Sequence, residues 1–305
     1  LSQGSDHGGS LRTPASYCGI VGFRPSPGRV PAANEAGFII EAANGPMARS
    51  VRDCALFLDT MAGFTTASPI SFPGCETGSF QLAVSEATPK IKIGFTPDFN
   101  GMAQVDAEVL SHLRGVLETM QSHGAIVEEY CPDLGDLEQV YHTLRGIMWA
   151  TSARRMPEEI TRHFKPTLAK NTVFGQRLTI DDIADANLGR TTIYHNMVEF
   201  FDTFDVLACP TVGCMPRPQS EEWVREIGGQ ILTGYMDWLR HAFLATTAGL
   251  PAISVPVGPG PRGLPIGIQL IGKPRDEAGL LAAARAFEEV MGGSKPPIDP
   301  VITHI

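Results

Sequence analysis

The stretch from Ile91 to Tyr130 most restricts what this chain can fold into. Ile91-Lys92-Ile93-Gly94-Phe95 alternates in the manner of a strand. Val109, Leu110, Leu113, Val116, Leu117 and Met120 then recur at the spacing of one helix face over residues 106–123, and Gly124 supplies a stop. Ala125 to Tyr130 reads as a second strand. A strand-helix-strand unit needs a sheet with helices packed on it, so an α/β layout is expected.

The remaining elements agree with that layout. Ser50 with Asp53 makes a capping-box-like start, and Val51, Cys54, Ala55, Leu58, Met61 and Ala62 form the stripe of a helix that Gly63 ends. Residues 64–89 carry Pro69 and Pro73 and read as a loop. Residues 136–204 are mostly helical by pattern, and their aromatics, Trp149, Tyr194, Phe200 and Phe201 among them, read first as core. Asp205 to Cys209 is a short strand cut off by Pro210, and Trp238 to Ala248 is a helix stopped by Pro251. Ala252–Val257 and Ile266–Ile271 are β-branched apolar runs suited to buried strands. An amphipathic helix over Asp276–Met291 follows, and no internal repeat is found.

Composition narrows the function classes. The 305 residues are 43% hydrophobic and 19% charged, which suits a soluble globular protein with a sizeable core. A formal charge of −9 and the lack of a basic patch argue against nucleic acid and anionic membranes as partners. No apolar stretch reaches the roughly 18 residues of a membrane helix, and no signal-peptide pattern opens the chain. Cys18, Cys54, Cys75, Cys131, Cys209 and Cys214 are scattered without paired short spacings, so free thiols in a reducing, cytoplasmic compartment are expected. The eight histidines form no ligand pair, and no metal site is expected. The chain begins at Leu1, inside a glycine-rich segment, which leads us to expect further sequence upstream.

That segment carries the chemistry. Gly4-Ser5-Asp6-His7-Gly8-Gly9-Ser10-Leu11-Arg12 offers a hydroxyl nucleophile at Ser10 and successive backbone N–H groups before it. Acyl transfer needs both: a nucleophile, and donors aimed at the oxygen that becomes negative. Asp6 would hold the loop by accepting N–H bonds, and Arg12 would brace it through carboxylates or carbonyls. The lysine of a phosphate-binding loop and the G-x-S-x-G elbow are both absent.

Read at greater length, Gly4 to Val30 resembles the core of the amidase signature family over 27 residues, from Asp6-His-Gly-Gly-Ser10 through Cys18-Gly to Gly28-Arg-Val30. Gly45-Pro-Met-Ala-Arg-Ser-Val51, Asp205-Val-Leu-Ala-Cys-Pro-Thr211, Ala248–Pro256 and Gly263–Gly272 resemble later segments of that family; residues 64–204 are loosely patterned. The resemblance implies a mixed central β-sheet flanked by helices on both sides, as one domain over residues 1–305 that is incomplete at its N-terminus. It implies hydrolysis of a small-molecule carboxylic amide through an acyl-enzyme on Ser10, without metal or organic cofactor. The oxyanion donors would be the backbone amides of His7, Gly8 and Gly9. The family's base is a lysine bridged to the nucleophile by a second serine with a cis peptide, both upstream of the nucleophile. Only nine residues precede Ser10, and Lys90, Lys92, Lys165, Lys170, Lys273 and Lys295 all lie downstream. The isolated chain is therefore expected to be weakly active or inactive.

Three readings remain open at this level. The first is a stand-alone amidase, which Phe23-Arg24 and Ser26-Pro27 favour over the second, the A subunit of a glutamine-dependent amidotransferase. The third is a non-catalytic relic acting as an interaction protein. Met148, Trp149, Tyr194 and Trp238 are candidates for the substrate pocket. Homo-oligomerisation is left open, and substrate identity is not legible.

Overall fold

The computed structural model describes residues 1–33, 36–74 and 78–293. Cys75 and Lys295 lie outside the described residues. The strands are β1 (Ser2–Asp6), β2 (Val21–Arg24), β3 (Ala43–Ala48), β4 (Lys92–Phe95), β5 (Ile126–Glu129), β6 (Val206–Pro210), β7 (Glu226–Ile227), β8 (Gln230–Ile231), β9 (Ala252–Pro259) and β10 (Pro265–Ile271). The helices are α1 (Arg12–Cys18), α2 (Val51–Met61), α3 (Ser79–Ser85), α4 (Ala107–Ser122), α5 (Leu137–Ala153), α6 (Glu158–Thr161), α7 (Pro166–Arg177), α8 (Ile180–Phe200), α9 (Phe243–Thr247) and α10 (Glu277–Val290).

Eight strands form one mixed sheet in the order β1-β3-β2-β9-β10-β6-β4-β5; β7 and β8 pair separately. The pairs β4–β5 and β4–β6 are parallel and the others antiparallel. The parallel part contains the strand-helix-strand unit β4-α4-β5, as the periodicity of Ile91–Tyr130 predicts.

Alternation along the central strands separates two cores. Val206 and Ala208 of β6 point into a core shared with α2, α3, α4 and α10, while Leu207 and Cys209 point into another shared with α5, α8 and α9. Leu270 and Ile271 of β10 divide the same way. A period of two sends successive side chains to opposite faces, so a strand covered on both sides reads as an apolar run. The mixed sheet with helices on both faces is thus observed.

Several segments differ from the sequence reading. The glycine-rich N-terminal segment, to which the sequence assigns no element, contains β1, α1 and β2, and β3 follows it. Residues 64–89, read as a loop, contain α3, which buries Phe80 and Val84. The helix expected over 238–248 is a 3-10 turn, Asp237–Ala242, continuing into α9. Pro210, read as cutting its strand off, is the last residue of β6 and pairs with Ile268. Two other signals act as read: the Ser50 side chain accepts from the Asp53 N–H at 3.0 Å, and Gly124, past the end of α4, adopts φ +105°.

Candidate active site

The serine loop is a bend between β1 and α1. At Gly9 the backbone takes φ +98°, and a Cβ there would lie 2.7 Å from Thr13 Oγ1, so the turn requires glycine. The Thr13 N–H donates to the Gly9 carbonyl at 2.7 Å, which starts α1. At Gly22, on β2, a Cβ would collide with the Leu11 carbonyl oxygen, so the bend can press against the sheet only over a glycine.

Asp6 is the hub. Its fully buried carboxylate accepts from the N–H groups of Gly9 (3.0 Å) and Leu11 (3.1 Å), and from Arg12 Nε (3.0 Å) and Nη2 (2.8 Å). Arg24 Nη1 donates to the Asp6 carbonyl oxygen and lies 3.6 Å from Oδ1. Burial alone would raise the Asp6 pKa, but Arg12, Arg24 and the Gly9 N–H outweigh it and hold the carboxyl well below the usual range. Arg12 carries the bracing inward: Nη1 donates to Gln269 Oε1 (2.6 Å) and the Ala242 carbonyl (3.2 Å). The Thr246 hydroxyl donates to the His7 carbonyl. One carboxylate, two guanidiniums and the Thr246 hydroxyl therefore tie the loop to β2, β10 and α9.

Ser10 stands exposed on this buried support, and among the described residues nothing hydrogen-bonds its hydroxyl. One expectation needs correction. The Gly9 N–H was expected to face the oxyanion, but it points at Asp6 because the left-handed turn directs it inward. The N–H groups of Gly8 and Ser10 meet no protein acceptor among the described residues.

His7 sits between the loop and α5. Its Nδ1 lies 3.3 Å from Tyr141 Oη and 3.4 Å from Arg145 Nη1. A guanidinium can only donate, so Nδ1 is the acceptor and the ring proton is on Nε2. Burial first, then the Arg145 and Arg24 charges, bring the His7 pKa down to about 3, so the ring is neutral near pH 7.

Beside the loop lies a cleft of about 250 Å³ lined by Arg145 and Trp149 of α5, Leu168 and Asn171 of α7, Lys165 and Tyr235. Trp149 is the one of the four expected pocket residues that lines it. Met148, next to Trp149, is turned away from it by about 100° of helix rotation. Tyr194 is on the partly exposed face of α8 with its ring 6.0 Å from that of His195. Trp238 stacks on Tyr17 at 6.3 Å.

Gln269, Thr246, Tyr141 and Arg145 were not singled out from sequence, and Arg24 served there only to separate two family readings, not as a support of the loop. Gln269 had a signal, being the lone polar residue in the apolar run Ile266–Ile271. Arg145 had a weaker one, as a single charge within the apolar stretch Leu144–Ala150. Among the described residues no cluster of three or more His, Cys, Asp or Glu side chains could hold a metal ion.

A mixed α/β sheet presenting a serine on a glycine bend braced by a buried aspartate defines a class of protein, and comparison with known sequences identifies the family. The Amidase family model matches residues 1–281, and the chain belongs to that family. It is 30% identical to an acylamidase of Rhodococcus erythropolis, over 99% of this chain and 64% of that protein. It is 31% identical to the A subunit of the glutamyl-tRNA(Gln) amidotransferase of Moorella thermoacetica, over 95% of this chain and 63% of the relative. The crystal structure of a bacterial aryl acylamidase of the amidase signature family superposes with a TM-score of 0.84 at 29% identity, covering 94% of this chain and 61% of that one. The chain thus spans about three fifths of the length of the relatives it matches.

Proposed function

We propose that these residues are part of a single amidase-signature domain that hydrolyses a carboxylic amide through an acyl-enzyme on Ser10. The observation that carries this reading is the Asp6 clamp, which spends two buried arginines on holding an exposed serine next to two unengaged N–H groups. Ser10 Oγ attacks the amide carbon and gives up its proton. The carbonyl oxygen becomes negative and is met by the N–H groups of Gly8 and Ser10, with His7 beside them. The C–N bond then breaks, the amine leaves with a proton, and water cleaves the acyl-serine ester. Ser10 needs a base to act near neutral pH. The family resemblance gives that role to a lysine relayed through a second serine, and none of the described lysines hydrogen-bonds Ser10.

The test is labelling by a fluorophosphonate, with Ser10→Ala as control, in this 305-residue chain and in the product of the complete coding sequence. Slow labelling of the former and rapid labelling of the latter at Ser10 are expected. An unlabelled Ser10 in the complete product would overturn the reading in favour of a non-catalytic interaction protein.

The likeness to the A chain of an amidotransferase supports a second reading within the same chemistry. Glutaminase activity that appears only with partner subunits would establish it in place of the stand-alone amidase. We propose a cytoplasmic location, which the five described cysteines support by being unpaired. No helix among the described residues is long and apolar enough to cross a membrane.

A further inference from the structure

We propose that the cleft beside the Ser10 loop is a carboxylate subsite, so that the amides this protein acts on carry an acidic group, with Arg145 as the residue that selects them. This rests on the amide-hydrolase reading above and names its substrate class.

Shielded arginines in this molecule have counter-charges, and Arg145 is the exception among the described residues. Among the described residues, every other arginine that is not solvent-exposed pairs with a carboxylate. Arg12 and Arg24 pair with Asp6, Arg29 with Glu277, Arg190 with Glu41, Arg240 with Glu138, and Arg285 with Glu288. Arg145 is half-buried on α5 and has no such partner. Its protein contacts are neutral: Nε donates to Asn171 Oδ1 at 3.2 Å, Nη1 lies 3.4 Å from His7 Nδ1, and Cζ is 5.8 Å from the Trp149 ring centroid. A guanidinium partly removed from water without a counter-charge is costly, and these contacts orient it without compensating it.

The cleft around it is short of acceptors as well. The Trp149 indole N–H is buried and meets no partner. Glu222 is the single carboxylate on the lining, and it faces Lys165 at 3.8 Å, both side chains largely exposed. Those two charges offset each other and leave the cleft with the one positive charge of Arg145, in a chain of net charge −9. A planar carboxylate is the natural complement, because it can accept two N–H bonds from one guanidinium.

The position ties the subsite to the reaction. A Cβ built on Gly8 would lie 3.9 Å from Arg145 Nη1, so an anion held there sits against the loop that carries Ser10. Its amide carbonyl is then a short chain away from the hydroxyl.

Succinamate and butyramide are suitable probes, since they share an amide and differ by a carboxylate in place of a methyl group. Binding is measured calorimetrically, and hydrolysis by ammonia release, with the protein expressed from its complete coding sequence. Wild type should bind succinamate at least about tenfold more tightly than butyramide, a difference of about 1.4 kcal/mol. Arg145→Met should abolish that preference, and Arg145→Lys should retain part of it, with urea midpoints confirming that both variants fold. Equal affinity of wild type for the two amides, or an undiminished preference in R145M, would overturn the proposal. Arg145-dependent succinamate binding without cleavage or Ser10 labelling would leave the subsite standing and sink the hydrolase reading. Cleavage of both amides at equal rates would do the reverse.

Discussion

Asp6 does two things with one carboxylate: it is the counter-charge that two buried guanidiniums share, and it fixes the turn that exposes Ser10. Asp6→Asn keeps the shape but leaves Arg12 and Arg24 without a counter-charge. We expect a loss of about 3–5 kcal/mol, read from urea unfolding. The pH dependence follows from the sign of the shift. The folded pKa of Asp6 lies below its unfolded value of about 3.9, so its contribution is present above that pH and is lost as pH falls toward the folded pKa. The variant should lack that acid limb. Gly9→Ala should cost upward of about 1 kcal/mol through the positive φ and the Thr13 hydroxyl, and should slow Ser10 labelling more than it lowers the urea midpoint.

Two features at the scale of elements govern the cleft and the loop's support. α5 and α7 cross at Gly146 and Gly175, where a Cβ on Gly175 would collide with the Gly146 carbonyl. These helices bring Arg145, Trp149, Leu168 and Asn171 together. Gly175→Ala should push them apart, weaken ligand binding in the cleft and change Trp149 fluorescence, while Ser10 labelling persists; an unchanged fluorescence spectrum would count against this geometry. The 3-10 turn before α9 buries His241, whose Nε2 lies 2.8 Å from the Pro97 carbonyl. Burial is the main cause that brings its pKa down to about 4. Between that value and the unfolded 6.5 the unfolded chain binds the extra proton, so stability falls as pH drops through this window. His241→Asn should reduce that slope, removing up to roughly 3 kcal/mol of dependence in urea midpoints taken from about pH 7 to about pH 4 and leaving the part that buried, neutral His7 contributes over the same window.

Over the whole molecule, one sheet serves two cores. Leu207 and Leu270 are both fully buried but belong to opposite faces. Neither core can open without stripping strands that the other needs. We therefore expect Leu207→Ala and Leu270→Ala each to cost about 2–5 kcal/mol. Each should shift a single urea transition seen identically by circular dichroism and by tryptophan fluorescence. Separate transitions for the two variants would mean that the faces unfold independently.

Much of the fold was legible because several elements carry their own signal. The helix face over Val109–Met120 and the apolar runs of β6, β9 and β10 announce themselves within a few residues. β1 did not, since Ser2–Asp6 has no large apolar side chain and is held by backbone pairing with β3. α3 did not either, as two buried side chains in seven residues make no periodicity against the surrounding prolines and glycines.

The sequence by itself determined the serine, its glycine bend, the aspartate and arginine beside it, and the strand and helix faces that make an α/β core. Those are local matters, set by side-chain type and spacing over a few residues. Only the tertiary structure decided that Gly9 turns its N–H to Asp6, that Gln269 receives Arg12 across 257 positions, and that Arg145 reaches the loop without an acid of its own. Hydrogen bonds and charge pairs join atoms by distance in space. Residues far apart in the chain acquire partners, or are left without one, only when the sheet brings them together.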